Sequence, residues 1–525
     1  MTFTEWFIFF LVVQVIHFAG TWKLYKKAGR QAWEALVPVY NAVILMKIIN
    51  RPWWWVILLF IPIVNLIMFP VIWVETLRSF GKKSTTDTWL AILTLGFYIY
   101  YINYAQDVSH IKERSLKPAT TVGEWVNSIL FAVIAATIVH TYFMQPFTIP
   151  TSSLEKTLLV GDFLFVSKMH YGARLPQTAI AFPMVHDTIP LLGIKSYTTK
   201  PQIPYMRLPG FEDIEKNDIV VFNWPVDTVN AFHQYGDGKY HYKPIDKKSN
   251  YVKRAVATPG DSLKIVEGQI YINGKKLAFP ERANPQFSYK GKTNGQPLSA
   301  EYMYKMYDVT DGFSYDPNTN EFYIPALSKG AVTRLKNNPY IESLERIIYP
   351  KDYKMTNMFP NDGNKRYNVD FFGPIYIPKK GKTVKIDAKS LPFYKRIIEV
   401  YEGKEMGVTN KITKNGTQIL LNGQPINSYT FKQDYYWMMG DNRHNSEDSR
   451  VWGYVPFNHV VGKPVFIWFS KDKFAAKFLD SIRWDRIFTT VSGKGTPVSY
   501  LPYALIILVI VVGWNFFKKR QNKKS

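Results

Sequence analysis

Residues 500–517 carry no charged side chain, and Lys518, Lys519, Arg520, Lys523 and Lys524 follow with no acid among them. An apolar run of that length can cross a bilayer, and a basic flank marks its cytoplasmic end. Four further apolar segments long enough to span precede it. The chain is therefore constrained first by a membrane. Its 47% hydrophobic and 16% aromatic content concentrates in these segments. A length of 525 residues predicts more than one folding unit. The expected architecture is a multi-span α-helical membrane anchor joined to a mainly-β extracytoplasmic domain with a large insertion.

The first span is expected over residues 6–22, with aromatic ends suited to interfaces. No basic stretch precedes it and no small-residue cleavage site follows, so it reads as an anchor. Lys23, Lys26, Lys27 and Arg30 place its far end in the cytoplasm. Residues 35–49 are apolar but too short to span, and Pro38, Asn41 and Lys47 interrupt them. They read as an interfacial or re-entrant segment. A second span is expected over 52–74, kinked at Pro62 and Pro70, a third over 88–104 and a fourth over 125–144. His140, near the end of the fourth, reads as a bundle-facing side chain. Counting back from the basic tail puts 145–498 outside. It also puts Arg78, Lys82 and Lys83 outside, against the positive-inside rule. The divisions expected are 1–123 (N-terminal membrane region), 124–145 (anchor), 146–279 and 401–498 (two parts of an outer β-domain), 280–400 (insertion) and 499–525 (last span and tail).

The outer region reads as strands. Residues 218–224 end at Pro225, and 251–256 stop at Pro259-Gly260-Asp261. Asn273-Gly274 and Asn422-Gly423 each follow a strand-like run and predict hairpins. Residues 280–400 are rich in Tyr, Lys, Asn and Pro and read as a large insertion with some order, a solvated irregular lobe in preference to a partner-binding surface. The net charge of +24 suits an anionic lipid surface, and no compact nucleic-acid motif accompanies it. With no Cys, disulfides, thiolate nucleophiles and Cys-ligated metals are excluded together.

Three stretches carry the chemistry. The first, Phe147-Thr148-Ile149-Pro150-Thr151-Ser152-Ser153-Leu154-Glu155-Lys156-Thr157-Leu158, follows the fourth span. Pro146 and Pro150 forbid a simple continuation of helix, so the hydroxyls sit on a stiff bend at the water boundary. The plainer alternative is a capping box of Ser152 and Glu155. The second is the strand holding Lys253 and Arg254, which alternation directs to opposite faces. Lys253 shares its face with Tyr251 and Ala255. A lysine among apolar neighbours gives up its proton more readily, whereas an arginine does not. The third is Gly440-Asp441-Asn442-Arg443-His444-Asn445-Ser446-Glu447-Asp448-Ser449-Arg450, a polar loop in which Asp448 and Arg450 can pair.

In this order the three stretches resemble type I signal peptidases, membrane-bound serine proteases that remove signal peptides. The resemblance covers about 120–275 and 405–470. It implies Ser153 as nucleophile and Lys253 as general base. It further implies Thr151 beside the Ser153 N–H in the oxyanion hole, Ser446 orienting the lysine, and Asp448 with Arg450 as a supporting pair. Phe147, Ile149, Leu154, Leu158, Tyr251 and Val252 are the implied lining for small substrate side chains. Several residues depart from the family pattern: Ser152 replaces the usual Gly, Leu154 the usual Met, and His444 a frequent Asp.

The reaction implied is acyl transfer without metal or cofactor, acting on preprotein signal peptides at the outer face of a bacterial cytoplasmic membrane. Membrane phospholipids, and possible association with the export machinery, complete the expected partners; no nucleic acid is expected. Two alternatives stand beside it. Ser153-Leu154-Glu155-Lys156 is an S-x-x-K string of the penicillin-recognising type, though S-D-N and K-T-G strings are absent. A catalytically silent adaptor for export substrates is the other. The histidines show no H-E-x-x-H spacing, and His233 and His241 read as loop residues.

Overall fold

The computed structural model describes residues 1–521 except 119, 230–238, 364, 474, 476 and 478. His233, Lys523 and Lys524 lie outside the described residues. The chain divides into two compact units: Met1–Phe143 with Arg174–Leu208 and Thr228–Lys247, and Met144–Ala173 with Pro209–Asp227 and Lys248–Ser525.

The first unit is helical at its N-terminal end. Among the described residues, three helices of the chain are long and apolar enough to cross a membrane: Phe3–Lys27, Thr121–Phe143 and Leu501–Gln521. The expected second and third spans are not single helices. Residues 52–74 break into Trp55–Leu58 and Val64–Ser79, and residues 88–104 into Thr85–Leu93 and Tyr98–Ala105. At each break a residue enters the left-handed region, Ile63 at φ 70° and Leu95 at φ 52°, which ends an α-helix. Residues 35–49, expected to lie in the interface, contain the short helix Tyr40–Ile48. Leu24, Ile44, Met46, Ile72 and Ile102 share one buried cluster in this unit.

The second unit is built on an antiparallel sheet. Its strands run in the order Met144–Thr148, Asp162–Ser167, Val460–Ser470, Ile219–Asn223, Asn250–Ala257, Tyr435–Met439 and Val455–Pro456. Pro146 lies in Met144–Thr148, an edge strand, the place in a sheet where Pro is tolerated. Both Asn-Gly hairpins form where the sequence places them. Asn273 and Gly274 turn Gln269–Ile272 into Lys275–Lys276, and Asn422 and Gly423 turn Gln418–Leu421 into Gln424–Pro425, all four with positive φ.

The insertion carries regular structure, more than the partial order expected of a solvated lobe. Strands Ile341–Arg346, Gln286–Thr293, Glu321–Ser328 and Ser314–Asp316 form their own sheet. Met303 and Tyr307 from helix Ala300–Tyr307 and Leu335 from helix Lys329–Lys336 share a core with Phe322 and Ile324. The boundary expected at 400 falls inside a hydrophobic core. Phe372, Leu391 and Ile397 pack with Val256, Ile270, Phe431 and Trp437.

Candidate active site

Lys253 stands in strand Asn250–Ala257 opposite Val220 of the neighbouring strand. Its flanking face residue Ala255 pairs with Met438 on the other side. These apolar neighbours leave the lysine 3% exposed. Its Nζ lies 2.6 Å from Ser153 Oγ and 5.3 Å from the centre of the Tyr251 ring. Burial pulls the lysine pKa down to about 8, partly opposed by Asp448 and Glu447. Arg254, on the opposite face, takes no part in this contact. It pairs instead with the buried carboxylate of Asp441, Nη2 to Oδ2 at 2.6 Å.

Ser153 sits in a 3-10 turn, Ser152–Leu154, with no side-chain cap, so the Ser152–Glu155 capping box does not form. Glu155 is turned inward and accepts from the Val160 N–H at 3.1 Å. Lys156 has φ 69°, and its Nζ lies 2.9 Å from Asp308.

The polar loop closes directly on the serine. The Asn442 N–H donates to Ser153 O at 3.1 Å, and Asn442 Nδ2 to Ser152 O at 3.3 Å. Gly440 is required by this approach, since a Cβ there would stand 2.5 Å from Ser153 O and clash with Ser446 Oγ. Asp448 and Arg450 pair at 2.7 Å, and Asp448 Oδ2 accepts the Gly440 N–H at 3.0 Å. Burial would raise the Asp448 pKa, but Arg450 holds it below the usual carboxylate range.

The remaining expected residues divide. Ser446 Oγ is buried without a hydrogen-bond partner, so it makes no bond to Lys253. Thr151 is exposed and, with Pro150 and Ser152, lines a cleft of about 270 Å³ whose far wall holds Thr310 and Asp311 of the insertion. Ile149, Leu154 and Leu158 are buried in the core with Leu164, Val221 and Val461, so they form no open substrate surface. Apolar character alone did not tell pocket from core. Phe147 and Val252 are half-buried at the edge of that cluster, and Tyr251 stacks on Trp224 at 5.3 Å.

Gln286 was not anticipated. Its Nε2 donates to Glu155 O at 2.7 Å, its N–H to Asp441 O, and its carbonyl accepts from Arg443. It ties the serine segment to the polar loop from inside the insertion. A lone Gln in a Tyr- and Lys-rich region carries no sequence signal for that role. Asp441, Asn442 and Arg254 were visible in the motifs, but their partners were not.

Residues 122–326 and 375–469 match the family described as signal peptidase, peptidase S26. The chain belongs to that family. It is similar to Signal peptidase I of Helicobacter pylori (strain ATCC 700392 / 26695), 23% identical over 378 residues that cover 70% of this chain and 91% of that one. Signal peptidase I of Buchnera aphidicola subsp. Baizongia pistaciae is 27% identical over 357 residues, 68% and 79% of the two chains. Signal peptidase I of Rickettsia canadensis is 25% identical over 353 residues, 67% and 81%. Residues 33–113 match a family of unknown function (DUF5684). This signal peptidase is thus a serine endopeptidase of type I that removes signal peptides from preproteins, and it is consistent with a membrane-anchored protein.

Proposed function

We propose that Ser153 is the nucleophile and Lys253 the general base of this signal peptidase. The observation that carries the assignment is the 2.6 Å contact between Lys253 Nζ and Ser153 Oγ in a buried setting. Neutral Lys253 takes the hydroxyl proton as Ser153 attacks the scissile carbonyl. The lysine then delivers that proton to the leaving amine and activates water to hydrolyse the acyl-enzyme. A Ser–Lys pair is a known variant of the triad arrangement. The Ser153 N–H and the Thr151 hydroxyl stabilise the oxyanion, each such donor contributing roughly 2.7–4 kcal/mol in other enzymes. Asp448 and Arg450 hold the loop that carries Gly440 against the serine. Phe147, Tyr251 and Val252, being only half-buried, are the candidates to meet the substrate's small side chains. The alternative base Lys156 is engaged by Asp308 at 2.9 Å.

The catalytic region faces the outside of a bacterial cytoplasmic membrane on this reading. Three crossings replace the five expected. Residues 145–498 and Met1 then lie outside, and the basic tail inside. Arg78, Lys82 and Lys83 join Lys23, Lys26, Lys27 and Arg30 on the cytoplasmic side, which removes the conflict with the positive-inside rule. Within the helical unit, the Met1 amino group and Trp6 Nε1 donate to Gln202 O at 3.3 and 3.0 Å. That contact supports Met1 sharing a side with residues beyond the Thr121–Phe143 helix. Phospholipids around the three helices, and the export machinery that delivers preproteins, are its partners.

The test is incubation of the purified protein with a labelled preprotein in detergent. Wild type is expected to release a mature product with small side chains before the cut, and Ser153→Ala and Lys253→Ala are expected to release none. Wild-type rates in Ser153→Ala would remove the assignment.

A further inference from the structure

The helical unit holds a charge cluster that signal-peptide cleavage does not use. Glu75, on helix Val64–Ser79, is 5% exposed and receives three guanidinium groups. Arg51 Nη2 lies 2.8 Å from its carboxylate, Arg114 Nη2 2.5 Å and Arg78 Nη1 3.5 Å. Arg114 is held further by Ser79 Oγ at 2.9 Å and Ile49 O at 3.1 Å, and its side chain is 9% exposed. Three cations against one carboxylate leave a net charge of two at this point.

The same end of the unit gathers more positive charge. Lys27 Nζ donates to Gln106 O and pairs with Asp107 at 3.5 Å, and Lys82 Nζ donates to Gln106 Oε1. Beside the cluster the surface is apolar. Trp53, Trp54, Ile57 and Phe60 are exposed, and the Arg51 guanidinium lies 5.0 Å from the Trp55 ring centre. Guanidinium forks match phosphate oxygens, and Glu75 cannot occupy all the donors of three of them. A free phosphate would satisfy the charge. A phospholipid satisfies the charge and the exposed aromatic and aliphatic surface together.

We propose that Arg51, Arg78 and Arg114 around Glu75 bind the phosphate of an anionic phospholipid whose acyl chains lie along residues 53–60. This rests on reading the helical unit as membrane-embedded. The experiment places the full chain in phosphatidylcholine nanodiscs doped with phosphatidylglycerol and counts retained lipid by native mass spectrometry. Wild type is expected to retain phosphatidylglycerol over phosphatidylcholine. Arg51→Gln/Arg78→Gln is expected to weaken that retention about thirtyfold, from the loss of two charges at a membrane surface. Lys329→Gln/Lys336→Gln, on the insertion's helix Lys329–Lys336, should retain it. Melting temperature and cleavage of a soluble peptide report folding, and Arg78→Gln alone, at the most exposed of the three, replaces the double variant if that one unfolds. Equal retention in wild type and variant, or no lipid preference in wild type, overturns the proposal. So does displacement of the lipid by millimolar inorganic phosphate, which would mark a site for a free anion. Release of the chain from membranes by alkaline carbonate would remove the membrane reading and the lipid site with it.

Discussion

Arg254 and Asp441 form a buried two-point ion pair, Nε to Oδ1 at 2.8 Å and Nη2 to Oδ2 at 2.6 Å. Asp441 Oδ2 also accepts from Thr157 Oγ1 at 2.7 Å. One carboxylate therefore connects the lysine strand, the segment after the serine and the polar loop. Removing either partner strands a buried charge, which costs about 3–5 kcal/mol. Arg254→Ala and Asp441→Ala are each expected to lower the melting temperature in detergent, and to lower cleavage by loosening the serine against the lysine. The double variant should lose less than the two single losses combined, because it leaves no unpaired charge. Strict additivity in that cycle would show that the pair is not coupled.

The pH profile should follow Lys253. Its pKa of about 8 is set by burial, against the opposing charges of Asp448 and Glu447. Only the neutral amine accepts the Ser153 proton, so kcat/KM should rise about tenfold per pH unit below that value and level off above it. Glu447→Gln removes a carboxylate that favours the charged lysine and should move the inflection to lower pH. Measurement of kcat/KM on a peptide substrate from pH 6 to 10 decides this, and an inflection that stays fixed in Glu447→Gln counts against it.

Gly440 tolerates no side chain where the loop meets the serine. An added methyl would press on Ser446 and stand 2.5 Å from Ser153 O, both parts of packed backbone and side chain. Overpacking of this kind costs about 1–3 kcal/mol. Gly440→Ala is expected to fold, with a modest fall in melting temperature, yet to lose most cleavage because relief comes by shifting Ser153. Wild-type kcat in this variant would show that the loop and not the serine gives way.

Lys156 should be dispensable for chemistry. Its amine pairs with Asp308 at 2.9 Å and lies 3.7 Å from Glu155. Asp308 is 62% exposed at the side chain, so the pair is partly screened and contributes about 1 kcal/mol or less. Lys156→Ala is expected to keep kcat within about threefold of wild type, whereas Lys253→Ala falls by roughly 10^4-fold or more. A collapse of kcat in Lys156→Ala would transfer the base to that residue.

Much of the site was legible because strand alternation is a hard geometric rule. Tyr251, Lys253 and Ala255 had to share a face, and they do, with Arg254 turned away to Asp441. Asp448 and Arg450 were close enough in sequence to pair locally. What failed was depth and continuity. Ile149, Leu154 and Leu158 are as apolar as any pocket lining, and only packing against Leu164 and Val461 reveals them as core. Residues 52–74 and 88–104 are hydrophobic enough for spans, but hydropathy cannot register the left-handed backbone at Ile63 and Leu95 that breaks them. The insertion's Tyr- and Lys-rich composition concealed a sheet, because the buried positions of Gln286–Thr293 are Gln286, Ser288 and Thr293, polar side chains that do not read as a core face.

Lys253 should carry a measurable stability cost at neutral pH. Its folded pKa of about 8 lies below the unfolded value of about 10.4. Below pH 8 both states hold the proton, and the folded state bears the full penalty of a buried cation. Between about 8 and 10.4 the unfolded chain holds protons that the folded chain has released, so stability rises with pH across that window. Replacing the amine by an apolar chain of similar length removes the penalty but leaves Ser153 Oγ without its partner. Lys253→Met is therefore expected to abolish cleavage and raise stability at pH 7 by an amount on the order of 1–3 kcal/mol. The advantage should shrink towards pH 10. Thermal unfolding of wild type and Lys253→Met at pH 7 and pH 10 separates this from simple packing, since a packing gain would be the same at both. A variant less stable than wild type at pH 7 would mean that the amine is neutral there and that its contact with the serine hydroxyl outweighs burial.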